Sequence, residues 1–258
     1  MKSVYTGDEK VAEFESYDEL RVGENKPAFI YEGSELVYPN PVKDGLVLWY
    51  DFSGRTNTDG QRGIAEDLSG NGNHGTLQNF NFTPESGYDK NKLLFDGVDD
   101  YIDVARYETS KSFTISMTVE TSPKDTQFLF GASHNAFYLR KYLGNRLHAS
   151  VWSDKQYTIS EQGFFTDEYE VSDVSYILDF TNKKLSIAGN GVVLVSTDFN
   201  GDYEDILIRR LGVWILGNGD HLDGGLLSTK IYNRPLSPEE IQHNYAIEKE
   251  RFNIGGAE

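Results

Sequence analysis

The sequence predicts an all-β fold in which two antiparallel sheets pack as a sandwich. The dipeptides Asn-Gly and Asp-Gly, which suit the positive-φ positions of hairpin turns, occur eight times along the 258 residues. In segment 113–119, Phe, Ile, Met and Val alternate with hydroxyl residues, as in a half-buried strand. Further strands are predicted over 46–51, 101–104, 127–130, 136–140, 147–152, 175–180, 185–188, 192–195, 206–216 and 226–232. So many short strands exceed what a single sheet usually holds, which predicts a sandwich.

One helix is predicted, close to the C-terminus. Ser237 can cap it, Pro238 fits its first position, and Glu239 and Glu240 suit the positive end of the helix dipole. The first 41 residues instead hold several short extended pieces and end in Tyr-Pro-Asn-Pro, whose prolines favour an extended connector. We therefore divide the chain into an N-terminal arm, residues 1–41, and a sandwich domain, residues 42–258.

The charge balance is strongly acidic, with 24 Lys and Arg against 41 Asp and Glu and a net charge of −17. A surface of this sign repels phosphate backbones, so we expect no nucleic acid as a partner. There is no cysteine, which excludes disulfides and sulfur-ligated metal sites. The sequence has no recognisable export signal and no apolar stretch long enough to span a bilayer, so we expect no membrane insertion.

Motifs of hydrolytic enzymes are missing from the sequence, which favours a non-enzymatic role. The five histidines show no metal-ligand spacing, and Gly-x-Ser-x-Gly does not occur. Glu168 and Glu170 have the i, i+2 spacing that could put two carboxylates on one strand face. They lie in an acidic stretch, however, and we interpret them as part of a solvated loop.

One loop rich in oxygen-bearing side chains is a candidate calcium site. Segment 67–73 carries Asp, Ser and Asn at alternate positions around a glycine turn, an arrangement that often wraps hard cations. Gln78 stands where a calcium-binding EF-hand loop has its bidentate glutamate, so further ligands would come from elsewhere, for example Asp96, Asp99 or Asp100. The alternative is that these side chains only cap turns through local hydrogen bonds.

Several segments resemble laminin-G-like, concanavalin-A-like jelly rolls. The opening signature is similar in GLVLWYDF at 45–52, DLSGNGNHGTL at 67–77 and LFDGVDDYI at 94–102, and the closing strand and helix are similar in 231–241. The resemblance implies a jelly roll of two antiparallel sheets with an extended N-terminal arm and one short C-terminal helix. It implies that calcium, where present, is held by loop oxygens at one rim, and the matching positions are Asp67, Asn71, Asp96 and Asp223. The Glu-x-Asp-x-x-Glu string of the catalytic branch does not occur, which again implies no enzymatic activity.

Residues 31–46 resemble the lead-in to this domain in structural proteins of bacteriophages of Gram-positive hosts. This resemblance implies a virion protein that is made in the host cytoplasm and forms a homo-oligomer in the assembly. Residues 1–41 would contact other virion proteins, and the jelly roll would bind polysaccharide of the host surface or cell wall.

Carbohydrate binding is therefore the leading functional hypothesis. Aromatic rings stack on sugar faces while nearby polar groups bond the hydroxyls. The candidate contacts lie beside predicted loops or on strands of alternating polarity: Trp152, Tyr157, Trp214 and His221. Two alternatives stay open, namely a purely structural decoration protein of the capsid or tail and, third, a glycan hydrolase.

Overall fold

The computed structural model describes residues 2–6, 9–14, 29–32, 35–108, 112–132, 137–166, 168–202, 207–214 and 219–255. The chain divides into two compact units, Met1–Lys43 and Asp44–Glu258. The first unit contains two antiparallel strand pairs, β1 (Lys2–Thr6) with β2 (Glu9–Phe14) and β3 (Ile30–Glu32) with β4 (Glu35–Tyr38). That residues 1–41 form a separate anchoring domain stays a prediction.

The second unit contains two large antiparallel sheets. Sheet 1 has the strand order β15-β14-β13-β12-β19-β10-β7-β6. Its strands are β6 (Ile64–Ala65), β7 (Gly75–Gln78), β10 (Tyr101–Glu108), β12 (Gln127–Ala132), β13 (Tyr138–Tyr142), β14 (Arg146–Trp152), β15 (Gln156–Glu161) and β19 (Leu207–Leu211).

Sheet 2 has the order β18-β17-β16-β11-β20-β9-β8, and β5 pairs with β20 beside β9. Its strands are β5 (Leu46–Asp51), β8 (Gly87–Asp89), β9 (Lys92–Asp96), β11 (Phe113–Thr121), β16 (Glu170–Asp179), β17 (Lys184–Gly189), β18 (Val192–Asp198) and β20 (Asp223–Tyr232). The predicted all-β, two-sheet antiparallel sandwich is confirmed.

The hydrophobic core lies between the two sheets and is lined by alternate residues of each strand. In β11 the apolar set from Phe113 to Val119 faces this core and is fully buried, as the alternation predicts. The hydroxyl residues of β11 are also buried, so the strand is not half-exposed. Ser116 hydrogen bonds to Ser175 (2.8 Å) and Thr118 donates to Asp173 (3.0 Å), which satisfies these groups on the outer face of sheet 2.

Helix α1 (Pro238–Phe252) confirms the predicted C-terminal helix. Ser237 is the N-cap and forms a capping box with Glu240, in which each side chain accepts a hydrogen bond from the other residue's backbone amide. Asn253 ends the helix in the left-handed conformation at φ 53°. Within the part of the chain that the structure describes, no helix is both long and apolar enough to cross a membrane.

Charged side chains join α1 to the outer face of sheet 2. Lys230 of β20 and Glu248 of α1 form a buried ion pair with 2.5 Å between Nζ and Oε1. Arg251 of α1 contacts Asp51 of β5 at 2.7 Å and Glu248 at 3.3 Å. We call Lys230, Glu248, Arg251 and Asp51 the buried charge network; it holds two cations and two anions under the helix.

The strand predicted over 206–216 is shorter in the structure. β19 ends at Leu211, and the next residue, Gly212, has a φ of +83°. A Cβ at this position would lie 2.5 Å from the Phe95 ring, so the backbone leaves the extended conformation where only glycine fits. Residues 206, 215 and 216 lie outside the described residues.

Candidate functional site

The outer face of sheet 1 carries aromatic and polar side chains that alternate with core residues. In β14, Leu147, Ala149 and Val151 face the core, so His148 and Trp152 point outward. In β13, Leu139 faces the core, so its neighbours on either side point outward in the same way. We define the aromatic–arginine face as Phe128, Tyr138, Arg140, Tyr142, His148 and Trp214.

Strand register sets three of these side chains in a row across the sheet. Phe128 of β12 pairs with Arg140 of β13, and Arg140 pairs with His148 of β14. Ser160 of β15 continues the row and is exposed. A parallel row runs from Tyr138 through Ser150 and Thr158, so aromatic and hydroxyl groups lie side by side.

The Arg140 guanidinium is held by three aromatic rings and one imidazole. Its Cζ lies 4.0 Å from the centroid of Tyr142, 4.9 Å from that of Tyr138 and 5.3 Å from that of Phe128. Its Nε donates a hydrogen bond of 3.0 Å to Nδ1 of His148. Cation–π contacts of this kind fix a guanidinium without neutralising its charge.

His148 accepts the Arg140 hydrogen bond as a neutral imidazole. Burial lowers the pKa of His148 to about 4, and the positive charges of Arg140 and Arg146 add to this effect. The ring also packs against Tyr142, with 5.1 Å between centroids. Near neutral pH the imidazole therefore adds no charge to the face and orients the guanidinium.

Aromatic and polar groups extend the face on both sides of Arg140. Trp214 stacks on Phe128 with 5.7 Å between centroids and 8° between the ring planes. On the other side, Nε2 of Gln156 donates to Oγ of Ser150 at 3.0 Å. Tyr142 and Trp214 are half-buried and Gln156 is exposed, so rings and hydrogen-bonding groups are both open to solvent.

The four predicted sugar contacts are not brought to one place. Trp152 is 50% exposed at the end of β14, and Trp214 reaches the same outer face of sheet 1. Tyr157 packs against the core instead, and its hydroxyl donates to Asp154. His221 is buried, and its carbonyl accepts a hydrogen bond from a lysine outside the aromatic–arginine face. Trp152 and Trp214 thus lie on the outer face of sheet 1, and of the four only Trp214 belongs to the aromatic–arginine face.

The first predicted calcium ligand is saturated by the protein's own hydrogen-bond donors. Oδ1 of Asp67 accepts from the amides of Trp49 and Ser69, both at 2.9 Å. Oδ2 accepts from the Ser69 hydroxyl at 2.9 Å and from the Asn73 amide at 2.8 Å. Nδ2 of Asn71 donates to loop and strand oxygens. This loop fits the turn-capping alternative better than a calcium shell, because its carboxylate oxygens are already engaged.

Strand register separates the predicted calcium ligands into two groups. Tyr50 bridges Asp67 and pairs with Thr229, whereas Asp96 pairs with Asp223. Thr229 and Asp223 are six residues apart on β20. At about 3.3 Å per residue the two groups are roughly 20 Å apart, too far to share one ion.

A group of three carboxylates does come together at the Asp96 end. Oxygen atoms of Asp96, Asp99 and Asp100 lie within 4.8 Å of one another. Asp100 is fully buried, and burial raises its pKa to about 6, with the charges of Asp96 and Asp99 adding to the shift. These residues fit a cation better than the Asp67 loop does, because a cation would relieve the cost of the buried charge.

The two glutamates considered for hydrolysis line a cleft of 730 Å³ beside the end of α1. Glu168 and Glu170 are both exposed, and Glu170 accepts a hydrogen bond from Thr166. Glu120, also in this cleft, is paired with Lys92 at 2.7 Å. The cleft therefore contains engaged or solvated carboxylates, as expected of a solvated acidic stretch.

Sequence reasoning missed most of the aromatic–arginine face. The signal was present in segment 138–142, where Tyr, Arg and Tyr alternate with Leu and Lys. The alternation in segment 147–152 predicts a strand, and His148 belongs to its outward-facing set. What the sequence did not provide was the strand order that puts Phe128 beside Arg140.

The fold is shared with solved structures of low sequence identity. Trypanosoma rangeli sialidase in complex with sialic acid matches with a TM-score of 0.58 at 16% identity, over 82% of this chain and 34% of the sialidase chain. The binding domain of botulinum neurotoxin DC in complex with SialylT matches with a TM-score of 0.54 at 13% identity, over 80% of this chain and 51% of that chain. The CBM40 of Ruminococcus gnavus IT-sialidase bound to α2,3-sialyllactose matches with a TM-score of 0.48 at 15% identity, over 59% of this chain and 95% of that domain.

At these identities the first two matches establish a shared fold. The chain spans about a third of the sialidase and about half of the toxin domain. No protein-family model matches the chain, and no curated protein matches it significantly. Membership of the laminin-G-like family and a phage origin stay predictions.

Proposed function

We propose that this chain is a non-enzymatic carbohydrate-binding module that holds glycans on the aromatic–arginine face. The observation that carries the proposal is the partly exposed Arg140 guanidinium on the outer face of sheet 1. It lies over the half-buried Tyr142 ring and beside the buried rings of Phe128 and Tyr138. Partly exposed rings beside fixed polar groups suit pyranose rings, which have an apolar face and a polar edge.

Each part of the face has a role in this proposal. The half-buried rings of Tyr142 and Trp214 offer apolar surface to the C–H face of a sugar. Gln156, Thr158 and Ser160 are exposed and offer donors and acceptors for sugar hydroxyls. The sialidase, which matches over 34% of its chain, was solved in complex with sialic acid, and the toxin binding domain in complex with SialylT, so we include sialylated sugars among the candidate ligands.

The biological setting that we propose is a phage virion, with host cell-surface or cell-wall polysaccharide as the ligand. This part rests on the resemblance of residues 31–46 to phage lead-in segments. Residues 1–41 would attach the module to other virion proteins, and several copies would be displayed together. A decoration protein that binds no glycan is the alternative, and it predicts an inert aromatic–arginine face.

The test is binding of the purified full chain to a panel of Gram-positive wall polysaccharides and sialylated oligosaccharides. Tyr142→Ala and Trp152→Ala are the site variants, because both remove partly or largely exposed rings from the outer face of sheet 1. Tyr169→Ala is the matched control, since Tyr169 is 61% exposed and lines the cleft beside α1.

We expect saturable binding that Tyr142→Ala weakens about tenfold, the loss of one aromatic contact worth roughly 1.4 kcal/mol. Tyr169→Ala should bind like the unmodified protein. If no glycan binds, or if Tyr169→Ala is affected as strongly as Tyr142→Ala, the aromatic–arginine face is not the site.

A further inference from the structure

The guanidinium of Arg140 lies among aromatic rings rather than carboxylates. In the described part of the chain, several arginines contact carboxylates at 2.6 to 3.5 Å, namely Arg55, Arg210, Arg234 and Arg251. Arg140 contacts no carboxylate of the described residues and is surrounded by rings instead. Arg62 and Arg146 also contact no carboxylate of the described residues, so what distinguishes Arg140 is that three rings surround its guanidinium.

The hydrogen bonds of Arg140 leave one edge of the guanidinium available. Nε is engaged by Nδ1 of His148 at 3.0 Å. The two terminal nitrogens donate no hydrogen bond to the described residues. That terminal edge carries two parallel N–H groups, the geometry that matches the two oxygens of a carboxylate.

The surroundings of Arg140 strengthen such a contact. The rings of Tyr138 and Tyr142 lie within 5 Å of Cζ, so they displace water and hold the planar group in one orientation. His148 is a neutral acceptor, since burial lowers its pKa to about 4, and it leaves the charge of Arg140 uncancelled. A guanidinium fixed in this way loses little entropy when it binds an anion.

We propose that the aromatic–arginine face selects glycans that carry a carboxylate, with Arg140 as the residue that pairs with it. This inference rests on the proposed carbohydrate-binding function and names its ligand class. The preferred unit is an acidic monosaccharide such as a sialic or uronic acid, whose ring contacts the aromatic groups while its carboxylate meets the terminal edge of Arg140. The net charge of −17 opposes long polyanions, so the face favours a single carboxylate over a sulfated or phosphorylated chain.

The experiment compares each acidic glycan with a neutral counterpart of the same backbone. The probes are 3′-sialyllactose against lactose, and a hyaluronan oligosaccharide against its carboxyl-reduced form, with Kd measured by calorimetry on the full chain. The variants are Arg140→Gln and Arg140→Lys. Arg62→Gln is the matched control, because Arg62 also lies over an aromatic ring, that of Phe82 at 4.7 Å, outside the aromatic–arginine face.

We expect at least one acidic probe to bind about 10- to 100-fold more tightly than its neutral counterpart, the range of one charge-assisted hydrogen-bonded pair. Arg140→Gln should abolish this preference, and Arg62→Gln should keep it. Arg140→Lys should recover only part of the preference, since an ammonium keeps the charge but loses the planar double contact. Arg140→Lys also serves as the test variant if Arg140→Gln does not fold.

Three results would overturn the inference. Equal affinity for acidic and neutral probes, with binding still lost in Tyr142→Ala, refutes carboxylate selection and leaves the proposed function standing. An acidic preference that survives in Arg140→Gln assigns the carboxylate to another residue. If neither the acidic nor the neutral probes bind and the wall polysaccharides do not bind either, the proposed function fails together with the inference.

Discussion

The buried charge network predicts a large and specific loss of stability when one of its cations is removed. Arg251→Met deletes the guanidinium that lies 2.7 Å from Asp51 and 3.3 Å from Glu248. Both carboxylate side chains are at most 1% exposed. Lys230 still compensates Glu248 in this variant, but Asp51 loses its counter-charge.

The magnitude follows from this burial. Removing one partner of a buried ion pair leaves an uncompensated charge and costs about 3–5 kcal/mol in the free energy of unfolding. The exposed pair Lys183–Asp202, at 2.9 Å with side chains 35% and 77% exposed, should contribute only about 0–1 kcal/mol. The double variant Asp51→Asn/Arg251→Met should recover most of the loss, because it removes the stranded charge together with its partner.

Urea unfolding followed by tryptophan fluorescence is a suitable assay. Trp49 is fully buried and lies 5.6 Å from Nζ of Lys230, so its emission reports on the surroundings of the network. Asp202→Asn is the control for removing one charge of an exposed pair. The reasoning fails if Arg251→Met costs no more than Asp202→Asn, or if adding Asp51→Asn to Arg251→Met deepens the loss.

Two further predictions concern titratable groups. The pKa of His148 falls from 6.5 to about 4 on folding, so the free energy of unfolding should decrease by about 3 kcal/mol as the pH falls from 6.5 to 4. His148→Gln should remove this part of the pH dependence of urea unfolding, and an unchanged pH dependence would contradict the prediction. Calcium binding stays a prediction. If Ca²⁺ binds the Asp96–Asp99–Asp100 group, millimolar Ca²⁺ should raise the Tm of the unmodified chain at pH 7 and should raise that of Asp99→Asn less. An equal Tm with Ca²⁺ and with chelator would argue against a site at this group.

Local sequence patterns predicted the parts of this fold that depend on neighbouring residues alone. The alternation in 113–119 identified β11, and Ser237 with Pro238 identified the start of α1, since strand alternation and helix capping are local chemistry. The predicted end of the strand over 206–216 was wrong because the backbone takes a positive φ at Gly212, where a Cβ would clash with the Phe95 ring of β9. Such a contact leaves no periodic signal in the strand's own sequence.

The candidate site was harder to predict because it depends on strand order and register. Trp152 and Trp214 were singled out as aromatic residues near loops, and both reach the outer face of sheet 1. The surroundings of Arg140 come from the two neighbouring strands, since Phe128 lies on the preceding strand and His148 on the next. Calcium at Asp67 stays a prediction, and the sequence alone does not show that its carboxylate accepts hydrogen bonds from the amides of Trp49, Ser69 and Asn73.

The two outer sheet faces accommodate positively charged side chains in different ways. On sheet 2, charged groups of β20 and β5 are neutralised by Glu248 and Arg251 of α1, so both polar partners come from within the chain. On sheet 1, the described residues supply rings and one imidazole for Arg140 but no carboxylate. Because the terminal nitrogens of Arg140 donate no hydrogen bond to the described residues, they can meet the carboxylate of the glycan class that we propose. This contrast is why carboxylate selectivity, rather than sugar stacking alone, is the sharper test of what the aromatic–arginine face does.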